Sequence, residues 1–452
     1  MRLLLVQPAG WLPLMDKIFI FEPLALEYLG AGAGGDGHEV RIIDMRLEPD
    51  LPAVLDTFRP EVVGITGFTS QVPIIRDLAA KVKERLPRTR TVVGGHHATV
   101  CPRDFDVPAI DFVVVGEGVS TLRELLRALE NGANVDGIPG LAIPAAGGMT
   151  FNQPRPYPDL DTLPLPDRSL TARYRKDYFS EWFRPLASVR TSIGCTARCT
   201  FCSLWRLTEG KYLRRDPEKV VAELKDVAEE NVFFCDDESM CDTRRMARLA
   251  DLIREAGIRK KYFLYARVDT IVRHPDLFRK WAEVGLVQVF VGMEDFSETR
   301  LAAMNKGIST ADQERAARIL EELGIIMYAS FMIDPEYSRD DFRSLKAYIR
   351  HLRLRYATFA VKTPLPGTEL HSIEEHRLLS RKPELYDMLH ALVPTRLSLP
   401  DFYAEMADLY AGAIPLRKVL PSLLRFGLHG MLLRIRLLGK FLEKMRAAHL
   451  DY

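Results

Sequence analysis

The first 140 residues alternate short, β-branched apolar runs with amphipathic stretches, and that alternation leaves few folds open. Arg2–Gln7, Glu39–Asp44, Val62–Thr66, Thr91–Gly94 and Phe112–Gly116 each read as a buried parallel strand. Helical patterns at Glu22–Ala33, Leu51–Thr57, Pro73–Leu86 and Thr121–Asn131 lie between them. Strand and helix in alternation predict a doubly wound α/β sheet. From about Gly137 to Pro185 the chain is proline-rich, with little periodicity, and reads as an ordered surface linker. A second series follows, with strands expected at Ser188–Ile193, Val232–Cys235, Tyr262–Ala266, Val287–Gly292, Met327–Ile333 and Thr358–Val361. Six such units predict a partial (β/α) barrel whose strand C-termini carry the chemistry.

Composition narrows the function classes. A chain of 452 residues, 47% hydrophobic, is long enough for two or three cores. Its 62 basic and 61 acidic residues leave a formal charge of +1, so no global field draws it to nucleic acid. Six cysteines, three of them within eight residues, point to a metal in a reducing compartment rather than to disulfides, and place the protein in the cytoplasm. The stretch MRLLLVQPAGWLP has one basic residue and a proline-broken apolar run, too short for a signal peptide. No apolar run reaches the ~20 residues of a membrane-spanning helix.

Cys195-x3-Cys199-x2-Cys202 follows an apolar strand and Gly194, which sets three thiolates on a loop at a strand's C-terminal end. Closed structural zinc sites need four protein ligands. No histidine occurs between His97 and His274, and the next cysteine, Cys235, is more than thirty residues on. An iron–sulfur cluster on three thiolates keeps one iron for an outside ligand. A zinc site or buried structural thiols are the alternatives. The spacing, with Phe201 before the last cysteine, resembles the radical S-adenosylmethionine (SAM) superfamily. That resemblance implies a [4Fe–4S] cluster on Cys195, Cys199 and Cys202, whose open iron chelates SAM and cleaves it to a 5′-deoxyadenosyl radical.

The resemblance continues in Val291-Gly292-Met293-Glu294 with Met304-Asn305-Lys306-Gly307, which is similar to the family's fourth-strand segment and implies that Glu294 contacts SAM. Phe234-Cys235-Asp236-Asp237-Glu238 and Ala266-Arg267-Val268-Asp269 resemble segments that face the cofactor. They add Asp236 and Arg267, with Phe201, to the implied SAM site. Three adjacent acids repel unless turned apart or paired, and Arg267 is the expected cation. Thr363–Thr368, rich in proline, matches the sixth-strand turn and forms a pocket wall.

In a doubly wound sheet ligands bind at strand C-termini, near the point where strand order reverses. Gly64–Ser70, Gly94–Thr99 and Gly116–Gly118 are built there for close backbone approach. With Glu27-Tyr28-Leu29, these segments ahead of a cysteine triad resemble the cobalamin-binding subgroup of radical SAM enzymes. The implied cobalamin contacts are Thr66, Gly67, Thr69, Ser70, Gly94, Gly95, His96, Gly116, Glu117 and Gly118. The Asp-x-His-x-x-Gly loop that supplies a lower histidine ligand in related modules is absent, and Gly35-Asp36-Gly37-His38 is better read as a turn. Adjacent His96 and His97 on an extended segment would point to opposite faces and not chelate together.

The resemblance divides the chain into a Rossmann-like cobalamin-binding domain (1–136), a linker (137–186), a partial radical SAM (β/α)6 barrel (187–370) and a helical C-terminal region (371–452). It implies C-methylation of an unactivated carbon through the 5′-deoxyadenosyl radical and methylcobalamin, with flavodoxin or ferredoxin as reductant. A non-methylating cyclase, oxidase or rearrangement enzyme, like the anaerobic cyclase of magnesium-protoporphyrin monomethyl ester, is the second reading. A non-catalytic corrinoid or redox sensor is the third. Residues 417–446 carry eight Lys or Arg and one acid among leucines. Such a helix either packs its leucines on the barrel or touches the inner membrane face, which would suit a lipid-like substrate.

Overall fold

Arg2–Gln7 forms strand β1, and its burial explains its unbroken apolar run. Leu3 and Leu5 enter one core while Leu4 and Val6 enter another, so both faces of the strand are covered. The structure is a computed structural model that describes residues 1–10, 15–145, 147–180, 183–413, 432 and 435–452. They pack as two units, 1–196 with 203–237 and 255–260, and 197–202 with 238–254 and 261–452.

In the first unit β1 is followed by β2 (Phe19–Ile20), β3 (Glu39–Asp44), β4 (Val62–Thr66), β5 (Arg90–Gly94), β6 (Phe112–Val114), β7 (Leu141–Ile143), β8 (Thr150–Phe151) and β9 (Phe179–Ser180). Seven of these build a sheet in the order β3-β1-β4-β5-β6-β7-β8. The first five are parallel, and β7 and β8 add antiparallel strands. Helices α1 (Leu24–Gly35), α2 (Leu51–Phe58), α3 (Val72–Arg85), α4 (His96–Val100) and α5 (Gly118–Glu130) connect them. Leu51, Val54 and Leu55 of α2 with Ile75, Leu78 and Val82 of α3 fill one core, whereas Leu26 of α1 with Leu122, Leu125 and Leu126 of α5 fill the other. The expected doubly wound sheet is therefore present, and its strand order reverses between β1 and β4.

Three local expectations are corrected. The run expected to be a strand to Gly116 ends at Val114, because Gly116 takes φ +84° and turns the chain. His96 and His97 begin α4 instead of lying on an extended segment. The stretch read as a linker contributes β7 and β8, since Leu141 and Ala142 find a burial place on the open edge of β6.

The same unit holds β10 (Leu186–Val189), β11 (Ser192–Ile193), β12 (Leu213–Arg214) and β13 (Asn231–Phe234), with short α6 (Leu204–Leu207) and α7 (Pro217–Asp226). The single strand expected over Ser188–Ile193 is broken: β10 pairs parallel with β13, and β11 pairs antiparallel with β12. The cysteine loop is thus the excursion between β11 and β12.

The second unit contains β14 (Lys261–Ala266), β15 (Leu286–Glu294), β16 (Ile326–Ile333) and β17 (Tyr356–Val361), each parallel to the next. These four, with β10 and β13 of the first unit, are the six strands expected of the partial barrel. Its helices are α8 (Thr243–Glu255), α9 (Val268–Arg273), α10 (Pro275–Glu283), α11 (Glu298–Ala303), α12 (Thr310–Glu322), α13 (Arg339–His351), α14 (Glu369–Glu374) and α15 (Leu399–Ala413). Ser309 and Ser338 open α12 and α13 with capping boxes closed by Asp312 and Asp341. Much of the basic tail, at 414–431 and 433–434, lies outside the described residues. Residues 435–447 are helical, and Phe441 lies edge-on to Tyr410 with ring centroids 4.8 Å apart. Among the described residues, no helix is long and apolar enough to cross a membrane.

Candidate active site

The carboxyl edge of the first sheet gathers the loops after β4, β5 and β6, and its glycines explain how closely they meet. Gly95 has φ +97°, and a Cβ there would collide with Thr66 Oγ1 and crowd Gly67 N at 3.2 Å. A Cβ on Gly116 would meet nothing within 4 Å, so open space lies above that turn. Phe68, in the β4 loop, is 63% exposed and offers a flat aromatic face. The His96 ring lies 6.0 Å from that of Phe68, and its Nε2 is 2.9 Å from Ser203 Oγ. Burial, with His97 alongside, holds the His96 imidazole below its usual range. Flat exposed aromatic surface, open glycine turns and an uncharged imidazole fit a planar macrocycle at this edge.

Other residues singled out here have structural tasks. Thr69 is buried and its hydroxyl lies 3.0 Å from His97 Nδ1. Glu117 caps α5, accepting from Val119 N–H at 2.6 Å and Ser120 N–H at 3.0 Å, so its carboxylate is spent on the helix. Thr66, Ser70, Gly94 and Gly118 are half-buried, and Gly67 is buried against Gln71. Gly35–His38 is the turn before β3, tied to α5 by Arg123, which donates to Asp36 at 2.6 and 2.8 Å.

At the carboxyl ends of β10 and β13 the three acids are turned apart. Asp236 is 1% exposed and accepts from Thr191 N–H (2.6 Å), Thr191 O–H (2.6 Å) and Ser192 N–H (2.8 Å). That carboxylate, expected to touch SAM, fixes the start of the cysteine hairpin. Asp237 accepts from Gly194 N–H at 2.6 Å, immediately before Cys195, and burial raises its pKa. Glu238 accepts from the Arg267 backbone N–H at 3.4 Å. Sequence reasoning passed over Arg190, which leaves β10 level with Cys235, whose N–H donates to Val189 O at 3.0 Å. The Arg190 guanidinium sits 5.9 Å from the Tyr28 ring centroid and faces Cys235 and Asp237, while burial pushes the Cys235 thiol up to about 12. An arginine one residue past a strand offers no periodic signal, so only its neighbours reveal it.

In the second unit Cys199 is buried, and Arg267 Nη1 approaches its Sγ at 4.0 Å. The rest of that guanidinium donates to Asp269 Oδ1 (2.9 Å) and Lys306 O (2.8 Å). Thr200 N–H donates to Met304 O at 3.1 Å, Asn305 Nδ2 to Arg198 O at 2.8 Å, and Leu370 N–H to Thr200 O at 2.9 Å. The Met304–Lys306 stretch and the turn after β17 therefore brace the cysteine segment. Glu294 ends β15 with φ +63°, just past a register shift against β16. The bulge re-aims its side chain to accept from Lys306 Nζ at 2.6 Å, and both groups are 8% exposed. A Cβ on Gly292 would strike the Glu294 carboxylate and come within 2.8 Å of Lys306 Nζ, which is why glycine stands there. Lys306 also lies 6.0 Å above the half-buried Phe201 ring. In the sequence, the signal for Lys306 is a basic residue in the tight turn Met304–Gly307.

Comparison with known proteins places two family matches on the chain. Residues 19–126 match the B12 binding domain and residues 189–349 the radical SAM superfamily. The chain is 32% identical over 415 residues to the hopanoid C-3 methylase of Methylococcus capsulatus, covering 90% of this chain and 79% of that protein. It is 26% identical over 387 residues to the anaerobic magnesium-protoporphyrin IX monomethyl ester cyclase of Rubrivivax gelatinosus, covering 83% of this chain and 68% of that protein. Among solved structures, the methyltransferase TsrM of Kitasatospora setae, with cobalamin and a [4Fe–4S] cluster bound, shares the fold at TM-score 0.73 and 19% identity, covering 99% of each chain.

Proposed function

Because this chain belongs to the cobalamin-dependent radical SAM methyltransferases, we propose that it methylates an unactivated carbon of an apolar, lipid-like small molecule. One observation supports the reading: His96, on the loop after β5, lies 2.9 Å from Ser203, the residue that follows Cys202. The loop expected to meet cobalamin thereby reaches the residue directly after the cysteine triad. When bound, the cluster and SAM supply a 5′-deoxyadenosyl radical and cobalamin supplies the methyl group.

The residues divide the work. Cys195, Cys199 and Cys202 hold the cluster, and Arg267 lies against Cys199 to offset thiolate charge. Glu294 receives SAM, with Lys306 holding its carboxylate in position and Phe201 flanking the pair. Asp236 and Asp237 anchor the hairpin from which the cysteine loop departs. Thr66, Gly67, Ser70, Gly94, Gly95, His96, Gly116 and Gly118, with Phe68, form the corrin edge. Thr69 and Glu117 brace that edge from behind. Arg190, Asp237 and Cys235, grouped where β10 and β13 end, would orient a substrate.

The relative sharing 32% identity is named for action on a hopanoid, which supports a polycyclic lipid as substrate class. Leu432 and Ile435, 45% and 47% exposed near the basic tail, support delivery from a membrane surface. Flavodoxin or ferredoxin is the reductant this reading calls for. The test incubates anaerobically reconstituted protein with methyl-labelled SAM, reductant and either a pentacyclic triterpenoid or polar acceptors such as tryptophan. Label in the triterpenoid, with 5′-deoxyadenosine formed, is expected. Label confined to a polar acceptor would overturn the substrate class, and product without label would favour the cyclase-like reaction.

A further inference from the structure

His97 is 1% exposed and has both ring nitrogens engaged, yet no step above uses it. Its Nδ1 lies 3.0 Å from Thr69 Oγ1 and its Nε2 lies 2.8 Å from Asp104 Oδ2. Cys101 completes a group in which one nitrogen, one sulfur and one oxygen all lie within 4.8 Å of one another. Local structure explains the convergence. Cys101 follows His97 by one helical turn, its N–H donating to His97 O at 2.8 Å. The 3-10 turn Pro102–Phe105 then brings Asp104 back toward the imidazole. Arg76 Nε donates to the Asp104 backbone carbonyl at 2.8 Å, which holds the turn and leaves the carboxylate facing His97.

We infer that His97, Cys101 and Asp104 form a binding site for one divalent cation of the zinc class. Imidazole, thiolate and carboxylate are the donors zinc takes, at about 2.0–2.3 Å from the ion, and three protein ligands leave a fourth position open. Ligand atoms on such a tetrahedral ion stand about 3.3–3.8 Å apart, so closing the site requires the imidazole and the Asp104 carboxylate, now 2.8 Å apart, to part slightly and the half-buried Cys101 side chain to turn in. Binding forms the nitrogen, sulfur and oxygen bonds to the ion and releases the thiol proton to solvent. The imidazole keeps one proton, on Nδ1, where Thr69 Oγ1 accepts it, the usual arrangement behind a metal-bound histidine. The bound ion would join the β5 loop to the β4 loop through His97 and Thr69, stiffening the edge that carries Phe68 and His96.

The test uses cluster-loaded protein equilibrated with Zn2+ and desalted, with zinc and iron measured per chain by elemental mass spectrometry. About one zinc per chain is expected in the native protein. Zinc affinity should fall by more than about tenfold in Cys101→Ser and in His97→Gln, with iron unchanged. Cys241→Ser, a thiol elsewhere, should keep the zinc. Circular dichroism identifies any variant that fails to fold, and Cys101→Ser, nearly isosteric, carries the decision. Absence of zinc from the native protein, equal zinc in Cys101→Ser, or loss of zinc in Cys241→Ser would each overturn the assignment.

Discussion

Glu294 and Lys306 are a buried ion pair at a strand end where the backbone is strained, and the two facts depend on each other. Only the bulge in β15 lets the carboxylate reach the ammonium at 2.6 Å, and only the ammonium makes burial of that carboxylate tolerable. Lys306→Ala should therefore destabilise the protein by about 3–5 kcal/mol by leaving a lone buried charge. SAM affinity should fall in parallel, measured by equilibrium dialysis beside denaturant unfolding. Unchanged SAM binding in a folded Lys306→Ala protein would remove the pair from the cofactor site. The sequence pointed to Glu294 through its segment, but a register shift has no signature in residue order, so its partner was hidden.

At the scale of elements, α5 starts where Glu117 can cap it. Val119 and Ser120 N–H groups are satisfied by that one side chain, and the helix begins three residues before the apolar periodicity does. Glu117→Ala should lower stability by about 1–2 kcal/mol in a denaturant melt. Glu117→Gln, which keeps an accepting oxygen, should cost less and leave cobalamin affinity within about twofold, as followed by corrin absorbance; a larger loss would mean that the carboxylate meets the corrin directly. The hairpin of β11 and β12 makes the same point differently. An apolar run over Ser188–Ile193 reads as one strand, but Asp236 seizes the backbone at Thr191 and Ser192 and breaks it. A carboxylate forty-odd residues away cannot be foreseen from local pattern.

For the whole molecule, a buried charge network ties α1 to the proline-rich stretch and to β10. Glu22, Glu27, Glu223 and Glu229 meet Arg168, Arg175 and Arg215, with Arg168 donating to Glu223 at 2.7 Å and Arg215 at 2.5 Å. Acids outnumber guanidiniums, and burial, opposed by the Thr171 hydroxyl and Arg168, pushes the Glu27 carboxyl up to about 7. A folded pKa above the unfolded value means that the folded state holds the proton more tightly. The stability this contributes is full below about pH 4.5 and is lost as pH rises through about 7. Its ceiling is about 3 kcal/mol, at 1.36 kcal/mol per pKa unit. Glu27→Gln should flatten stability between those limits, read from chemical melts across pH; an unaltered slope would place the titration elsewhere.

What the sequence determined by itself is whatever depends on neighbours along the chain. Strands buried on both faces, helices of one periodicity, the cysteine spacing and the glycine-rich strand ends at Thr66–Gly67, Gly94–Gly95 and Gly116–Gly118 were all readable, because each is a local pattern with a local physical cause. Tertiary structure alone decided what those patterns meet. It gave β7 and β8 an edge to join, bound Asp236 to the backbone of Thr191 and Ser192, set Arg190 beside Cys235, and brought His97, Cys101 and Asp104 together through a short turn held by Arg76. Pairings of that kind are fixed by chain crossings and burial, quantities that no window of residues contains.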